Sequence, residues 1–163
     1  MNATPARRAD PPDFGLPGRI QAPNSLPRSI ALVGLGEGGA AIARNVAGLG
    51  LAQVEVHVLA KSAIGGDAVA AIKAGGGDLQ RDLTGADLIF IVTCAGDDVG
   101  LATVVSSIAH SRNRPVTALY VVPHVARPGG EDDTLRTLRS AVEMLVVVSD
   151  ESYVPTMIGA LGG

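Results

Sequence analysis

The sequence predicts an α/β fold in which a parallel sheet carries helices on both faces. Five short runs rich in Val, Ile and Leu recur along the chain, as in strands that are buried on both sides. Ala-rich stretches with helical spacing lie between these runs, and the connections are short. This alternation is typical of βαβ units, whose right-handed crossovers place helices above and below one sheet.

Each predicted strand is identified by its own apolar run. The runs are Ile30–Val33, Val54–Leu59, Leu88–Thr93, Val116–Val122 and Met144–Val148. Helical spacing predicts the helices Gly39–Leu49, Ala63–Ala74, Leu101–Ser111 and Thr134–Val142. The sequence has no internal repeat, and its length suits one domain, which we expect to cover residues 29–163.

The first 28 residues differ in composition from the rest of the chain. Six of the ten prolines lie between Met1 and Pro27. Proline fixes φ and lacks a backbone N–H, and the segment also lacks hydrophobic periodicity. We expect residues 1–28 to form a disordered tail, which is either a solvated extension or a docking arm for a partner.

The composition disfavours several classes of function. A net charge of −3 gives no basic footprint for nucleic acid, and 2% aromatic residues leave no surface for base stacking. The single cysteine, Cys94, excludes a disulfide framework and a cysteine-based zinc site. We find no apolar run of about 18 residues for a membrane span and no secretory signal, so we expect a cytoplasmic protein.

A glycine-rich turn follows the first predicted strand. Gly34, Gly36 and Gly39 fit the pattern G-x-G-x-x-G between a strand and a helix, where nucleotide-binding sheets place it. Such glycines, with Gly38 beside them, let the backbone approach a phosphate at a helix N-terminus. The alternative is that they only allow the helix to pack closely on the sheet. Glu37 would repel a phosphate unless it faces solvent.

The end of the second predicted strand distinguishes between the nicotinamide cofactors. A site for NAD has an acid there, which binds the ribose hydroxyls. This chain reads Ala60-Lys61-Ser62 instead, and Glu55 lies at the start of the strand. Lys61 and Ser62 suit the 2′-phosphate of NADP, so NADP remains a candidate cofactor while NAD is disfavoured. The alternative, which we favour for Lys61, is a solvated surface lysine.

A second loop of chemical interest follows the third predicted strand. Asp97 and Asp98 in this loop suit Mg²⁺ together with phosphate oxygens, but we favour a simple helix start, where acids interact well with the helix dipole. Cys94 with His124 has the residue types of an activated thiol. We interpret Cys94 instead as a small apolar core residue, and we assign no catalytic residue and no metal site.

Taken in order, these segments resemble the nucleotide-binding domain of the FtsZ and tubulin family. Val33–Ala41 resembles the first glycine loop of bacterial FtsZ, and Gly85–Ile91 is similar to the strand that leads into the glycine-rich tubulin signature. Val54–Val56 and Leu145–Glu151 are similar to the second strand and a late strand of the family. The resemblance covers roughly Ser29 to Tyr153. It implies a three-layer, Rossmann-like, doubly wound parallel sheet that binds GTP or GDP.

The resemblance also implies which residues contact the nucleotide. They are Gly34, Gly36, Gly38, Gly39, Gly96, Asp97 and Gly100. The family signature, Gly-Gly-Gly-Thr-Gly-Thr-Gly, is altered here, because Asp97 and Asp98 bring two negative charges to the place of the triphosphate. The second domain, which in the family supplies the acidic loop that activates water, has no counterpart before Gly163.

Three functions are open on this evidence. The first is an FtsZ/tubulin-like GTP-type domain that has weak or lost nucleotide binding, does not turn over GTP and acts as a binding or assembly subunit. The second is an accessory or scaffold subunit of an enzyme complex with no nucleotide bound, and the third is an NADP-binding oxidoreductase. We expect Met157, Ile158 and Leu161 to be exposed, and therefore a homo-oligomer or a protein partner.

Overall fold

The computed structural model describes residues 28–59, 78–122 and 133–162 of the chain. None of the helices in these ranges is long and apolar enough to cross a membrane. Several predicted features lie outside the described residues, namely nearly all of the proline-rich tail, the helix Ala63–Ala74, Lys61, Ser62 and His124.

Strands and helices alternate throughout the described ranges. The strands are β1 (Ile30–Leu35), β2 (Val54–Leu59), β3 (Leu88–Cys94), β4 (Val116–Val121) and β5 (Met144–Val148). The helices are α1 (Gly36–Ala47), α2 (Leu79–Gly85), α3 (Ala102–His110), α4 (Asp133–Ala141) and α5 (Tyr153–Gly162). All neighbouring strands pair in parallel, in the order β2-β1-β3-β4-β5. The prediction of an α/β fold with a doubly wound parallel sheet is confirmed.

Two apolar layers hold the helices on the sheet. On one face, α1 and α5 pack against side chains that include Leu32 and Phe90. On the other face, α2, α3 and α4 pack against side chains that include Val33 and Ile91. Leu32 and Val33 belong to different layers because successive residues of a strand face opposite sides. The central strands are therefore buried on both faces, which explains their continuous apolar sequence.

The strand order reverses between β1 and β3. The chain adds β2 on one side of β1 and β3 on the other, and later strands follow β3 outward. Gly34 of β1 is in register with Val92 of β3, so the two strands end side by side. Ligands of doubly wound sheets bind in the crevice at such a reversal. Here the glycine turn and the loop Cys94–Gly100 meet at this crevice.

Two helices of the structure, α2 and α5, were not predicted from the sequence. Helix α2 begins after Asp78, whose side chain accepts a hydrogen bond from the backbone N–H of Arg81 at 3.0 Å, as an N-cap residue does. Helix α5 forms from the closing segment, and it packs Ile158 against the layer that contains α1. The prediction that Ile158 is exposed is therefore wrong, since this side chain is fully buried. Met157 is partly buried and Leu161 is exposed.

Candidate functional site at the ends of β1 and β3

Helix α1 begins without a cap of its own. The residue before it, Leu35, is apolar and makes no side-chain hydrogen bond to the helix. The first turn of any α-helix has backbone N–H groups with no partner inside the helix. Those of α1 point into the crevice between β1 and β3, so they need an acceptor from another part of the chain or from a ligand.

The carboxylate of Asp97 supplies that acceptor. Its Oδ1 accepts a hydrogen bond from the N–H of Gly38 at 3.1 Å, and its Oδ2 accepts one from the N–H of Gly39 at 2.8 Å. Oδ2 also accepts from the N–H of Cys94 at 2.8 Å and from the hydroxyl of Thr93 at 3.3 Å. Asp97 therefore caps α1 and joins it to the end of β3.

The position of this carboxylate is the one that an anionic ligand takes in related turns. A helix N-terminus offers backbone N–H groups and the positive end of the helix dipole, and phosphates bind there for this reason. Hydrogen bonds from several N–H groups to a carboxylate are of the stronger, charge-assisted kind. We expected the charge of Asp97 to repel a nucleotide, and the structure adds that this charge itself occupies the end of the helix.

The glycines of the turn are required by packing within the chain. Gly36 has a φ of +72°, and a Cβ there would lie 2.5 Å from the Cβ of Asp97. A Cβ on Gly39 would lie 2.2 Å from the carbonyl oxygen of Val92, and a Cβ on Gly34 would lie 2.5 Å from the carbonyl oxygen of Gly39. These gaps are too short for any side chain. The glycine pattern is thus accounted for without a ligand, and nucleotide contacts by these residues stay a prediction.

The loop between β3 and α3 is fixed by its own hydrogen bonds. Gly96 takes a φ of +84°, and Oδ1 of Asp98 accepts a hydrogen bond from the N–H of Gly100 at 2.9 Å. The buried hydroxyl of Thr134, on α4, donates to the backbone carbonyl of Asp97 at 3.0 Å. These contacts hold the loop against α4 while the Asp97 side chain points the other way, towards α1.

The two adjacent carboxylates of this loop accept hydrogen bonds from different parts of the chain. Asp97 accepts hydrogen bonds from the end of α1, whereas Asp98 accepts one from Gly100. Across residues 28–59, 78–122 and 133–162, no group of three or more His, Cys, Asp or Glu side chains lies close enough to hold a metal ion. The interpretation of these acids as the start of the following helix is wrong, because α3 begins after Leu101 with no side-chain cap and no acid in its first turn. Asp97 caps α1 instead.

The surface beside the loop is acidic. The cleft between the loop and the start of α4 is lined by Asp98 and Asp133, and its described lining contains no Lys or Arg. The nearby guanidinium of Arg136 lies 2.9 Å from Asp133, whose side chain is almost fully exposed. A phosphate group in this cleft would therefore face the carboxylates of Asp98 and Asp133, of which Asp133 pairs with Arg136.

Cys94 is a protonated thiol at neutral pH. Its side chain is partly buried, and burial, followed by the negative charges of Asp97 and Glu151, raises its pKa to about 11. An activated cysteine has a lowered pKa. The shift supports our interpretation of Cys94 as a small apolar residue.

The two histidines of the described ranges pair with carboxylates away from the crevice. His57 is buried in β2, with its Nε2 3.2 Å from a carboxylate oxygen of Asp82 on α2. His110, at the end of α3, pairs with Glu143. The N–H of Val116 donates a hydrogen bond to the carboxylate of Glu143 at 2.8 Å. The pKa of Glu143 is lowered, mainly because of this hydrogen bond. Both pairs join neighbouring elements of the fold.

The fold and the site define a doubly wound α/β domain in which the carboxylate of Asp97 caps the glycine turn at the start of α1. No family model matches the chain, and no curated protein matches it.

Proposed function

We propose that the chain is a protein-binding or assembly subunit built on a nucleotide-domain fold of the FtsZ and tubulin type, in which Asp97 replaces the nucleotide phosphate. The observation that carries the proposal is the set of backbone hydrogen bonds from Gly38, Gly39 and Cys94 to the Asp97 carboxylate. A phosphate at this turn would need the same N–H groups. It would also have to displace a negative charge that is covalently attached to the protein.

The expected penalty for nucleotide binding is large. A hydrogen bond to a charged group contributes roughly 1.5–3 kcal/mol net, so three of them amount to about 4.5–9 kcal/mol. Each 1.4 kcal/mol is a tenfold change in affinity, so displacing Asp97 would weaken binding by a factor on the order of 10³ to 10⁶. A nucleotide that would otherwise bind in the micromolar range would then bind in the millimolar range or more weakly. This fits a subunit whose role does not depend on GTP, GDP or NADP.

Calorimetric titration and thermal shift with GTP, GDP and NADP, each with Mg²⁺, test the proposal. We expect no binding by the wild-type protein up to about 1 mM nucleotide. Asp97→Ala frees the helix end and removes the charge, so this variant should gain affinity for the phosphate-containing ligands. Asp97→Asn removes the charge with little change of shape, and it serves as the second variant if Asp97→Ala folds poorly.

Asp98→Ala is the matched control for these variants. It removes the same charge from the next residue, and Asp98 accepts a hydrogen bond from the N–H of Gly100 in the loop. We expect Asp98→Ala to bind nucleotides no better than the wild type. Stabilisation of the wild-type protein by GTP or NADP would contradict the proposal, because a ligand at 100 times its dissociation constant adds about 2.7 kcal/mol to the stability.

A further inference from the structure

The outermost strand of the sheet lacks the features that normally protect an edge. Strand β5 has the sequence Met-Leu-Val-Val-Val, with no charge, proline or glycine, and the order of strands places it at the end of the sheet. The side chains of Met144 and Val147 are 59% and 61% exposed. Edge strands of soluble proteins usually carry charges, prolines or bulges that prevent pairing with other chains.

The backbone of β5 offers hydrogen-bonding groups to a further strand. The carbonyl of Val148 accepts a hydrogen bond from the N–H of Val122, which lies directly after β4. Successive residues of a parallel strand direct their backbone groups to alternate sides. The N–H and C=O groups of Leu145 and Val147 therefore point away from β4. Among the residues that the structure describes, no strand pairs with this outer side.

An apolar groove runs beside the same edge. It lies between β5 and α5, and its lining includes Leu119, Val146, Tyr153 and Met157. Tyr153 is 66% exposed. A strand that paired with β5 would direct every second side chain towards this face of the sheet. The edge thus combines backbone groups for affinity with a groove for alternate side chains, which is the arrangement used in β-augmentation.

Acidic residues lie at both ends of β5, and their charge bears on which kind of strand can pair with it. Glu143 precedes the strand, and Asp150 and Glu151 follow it, all three exposed. In an antiparallel pair of two copies centred on Val147, Glu143 of each copy would lie opposite Glu151 of the other. Like charges placed across two strands are destabilising. A segment with Lys or Arg at its ends would instead be attracted at both ends.

We propose that β5 is the docking edge for an extended segment of a partner protein, with apolar side chains at alternate positions and Lys or Arg at both ends. The segment adds to the sheet as a further strand along β5. This deepens the proposed function, on which it rests, by naming the surface and the chemistry of the partner. Its test uses no nucleotide, so a failure here is distinct from a failure of the nucleotide experiment.

Fluorescence anisotropy with labelled peptides tests the proposal on the full chain. The probe is the peptide Arg-Thr-Val-Thr-Val-Thr-Arg, and its comparison is Glu-Thr-Val-Thr-Val-Thr-Glu. We expect the Arg-flanked peptide to bind at least about tenfold more tightly at low salt, because charge complementarity favours it. Glu151→Lys should reduce this preference. Glu55→Lys is the matched control, since Glu55 is exposed on β2, the opposite edge strand, and it should leave the preference unchanged.

Val147→Pro tests the backbone pairing. It removes an N–H that points outward, and proline is tolerated at such positions of edge strands, so the variant should keep its melting temperature and lose peptide binding. Val146→Pro removes an N–H that points towards β4 and should lower the melting temperature. Equal binding of the two peptides, or full binding by a folded Val147→Pro variant, overturns the proposal. So does a wild-type dimer that Val147→Pro dissociates, because the edge would then belong to a second copy.

Discussion

Gly39→Ala is expected to destabilise the protein strongly although alanine is the better helix residue. Gly39 lies in the first turn of α1, where α1 crosses the end of β3. An added Cβ would lie 2.2 Å from the carbonyl oxygen of Val92, and ordinary contact begins at 3.4 Å, so α1 would have to move by at least 1.2 Å. Both atoms belong to backbone or to its first side-chain carbon, so no rotamer change can relieve the overlap.

The size of the effect follows from what α1 contacts. Forcing extra atoms into a packed interface costs roughly 1–3 kcal/mol, and losing the charge-assisted hydrogen bond from the N–H of Gly39 to Asp97 costs about 1.5–3 kcal/mol more. Alanine regains up to about 1 kcal/mol through its helix propensity. We therefore expect a net loss of about 2–5 kcal/mol, which lowers the melting temperature of a domain of this size by about 10 °C or more.

Urea unfolding and thermal melts followed by circular dichroism measure the loss. Gly159→Ala is the matched control, because Gly159 lies inside α5 and a Cβ there meets no atom within 4 Å. The control should be as stable as the wild type or up to about 1 kcal/mol more stable. If Gly39→Ala behaved like Gly159→Ala, α1 would not approach β3 as closely as we describe, and the capping role of Asp97 would lose its geometric basis.

Two further predictions concern chemistry at the crevice. The isolated chain should release phosphate from GTP with Mg²⁺ more slowly than about one turnover per minute, because Asp97 occupies the end of α1, and faster turnover would contradict this. Alkylation of Cys94 by iodoacetamide should rise about tenfold per pH unit up to its pKa of about 11, since only the thiolate reacts, and it should be faster in Asp97→Asn at the same pH. A half-maximal rate near pH 8.5, the ordinary thiol range, would refute the shift.

The strands could be predicted almost to the residue, because each is an apolar run that turn residues limit on both sides. Burial on both faces explains the continuous runs of the central strands, and the runs of the partly exposed edge strands β2 and β5 are equally well bounded. The predicted bounds of β2 and β5 agree with the structure, Val54–Leu59 and Met144–Val148. Helix α2 was missed because it has seven residues and buries only Leu79 and Leu83. Two buried positions are too few to show helical periodicity in the sequence.

Helix α5 was missed for a different reason. The closing segment contains Pro155 and several glycines, which are poor helix formers, and no helix was predicted there. Pro155 lies in the first turn of the helix, where proline is tolerated because the N–H it lacks would have no partner inside the helix. A proline therefore marked the start of this helix and not its absence.

The glycine turn could be placed from the sequence, but its acceptor could not. Asp97 lies 58 residues from Gly39, and only the register of β1 against β3 brings the two together. A weak signal was present. Leu35 stands at the N-cap position of α1, where a capping side chain is expected. Two acids, Asp97 and Asp98, follow β3, the strand that pairs with β1 in the structure. Pairing these observations required knowledge of which strands are adjacent.

The covalent attachment of the Asp97 carboxylate to the chain affects how fully the turn at the start of α1 is occupied. A group held near its site by a short linker acts at an effective concentration on the order of millimolar or more, and unlike a diffusible ligand it cannot be diluted. The turn at the start of α1 is then saturated as soon as the domain folds. Filament-forming nucleotide domains change state by exchanging and hydrolysing their ligand, whereas a helix end saturated by its own chain has nothing to exchange. On the proposed function, the domain therefore has no nucleotide-dependent states at this turn, and its regulation would enter through partner binding.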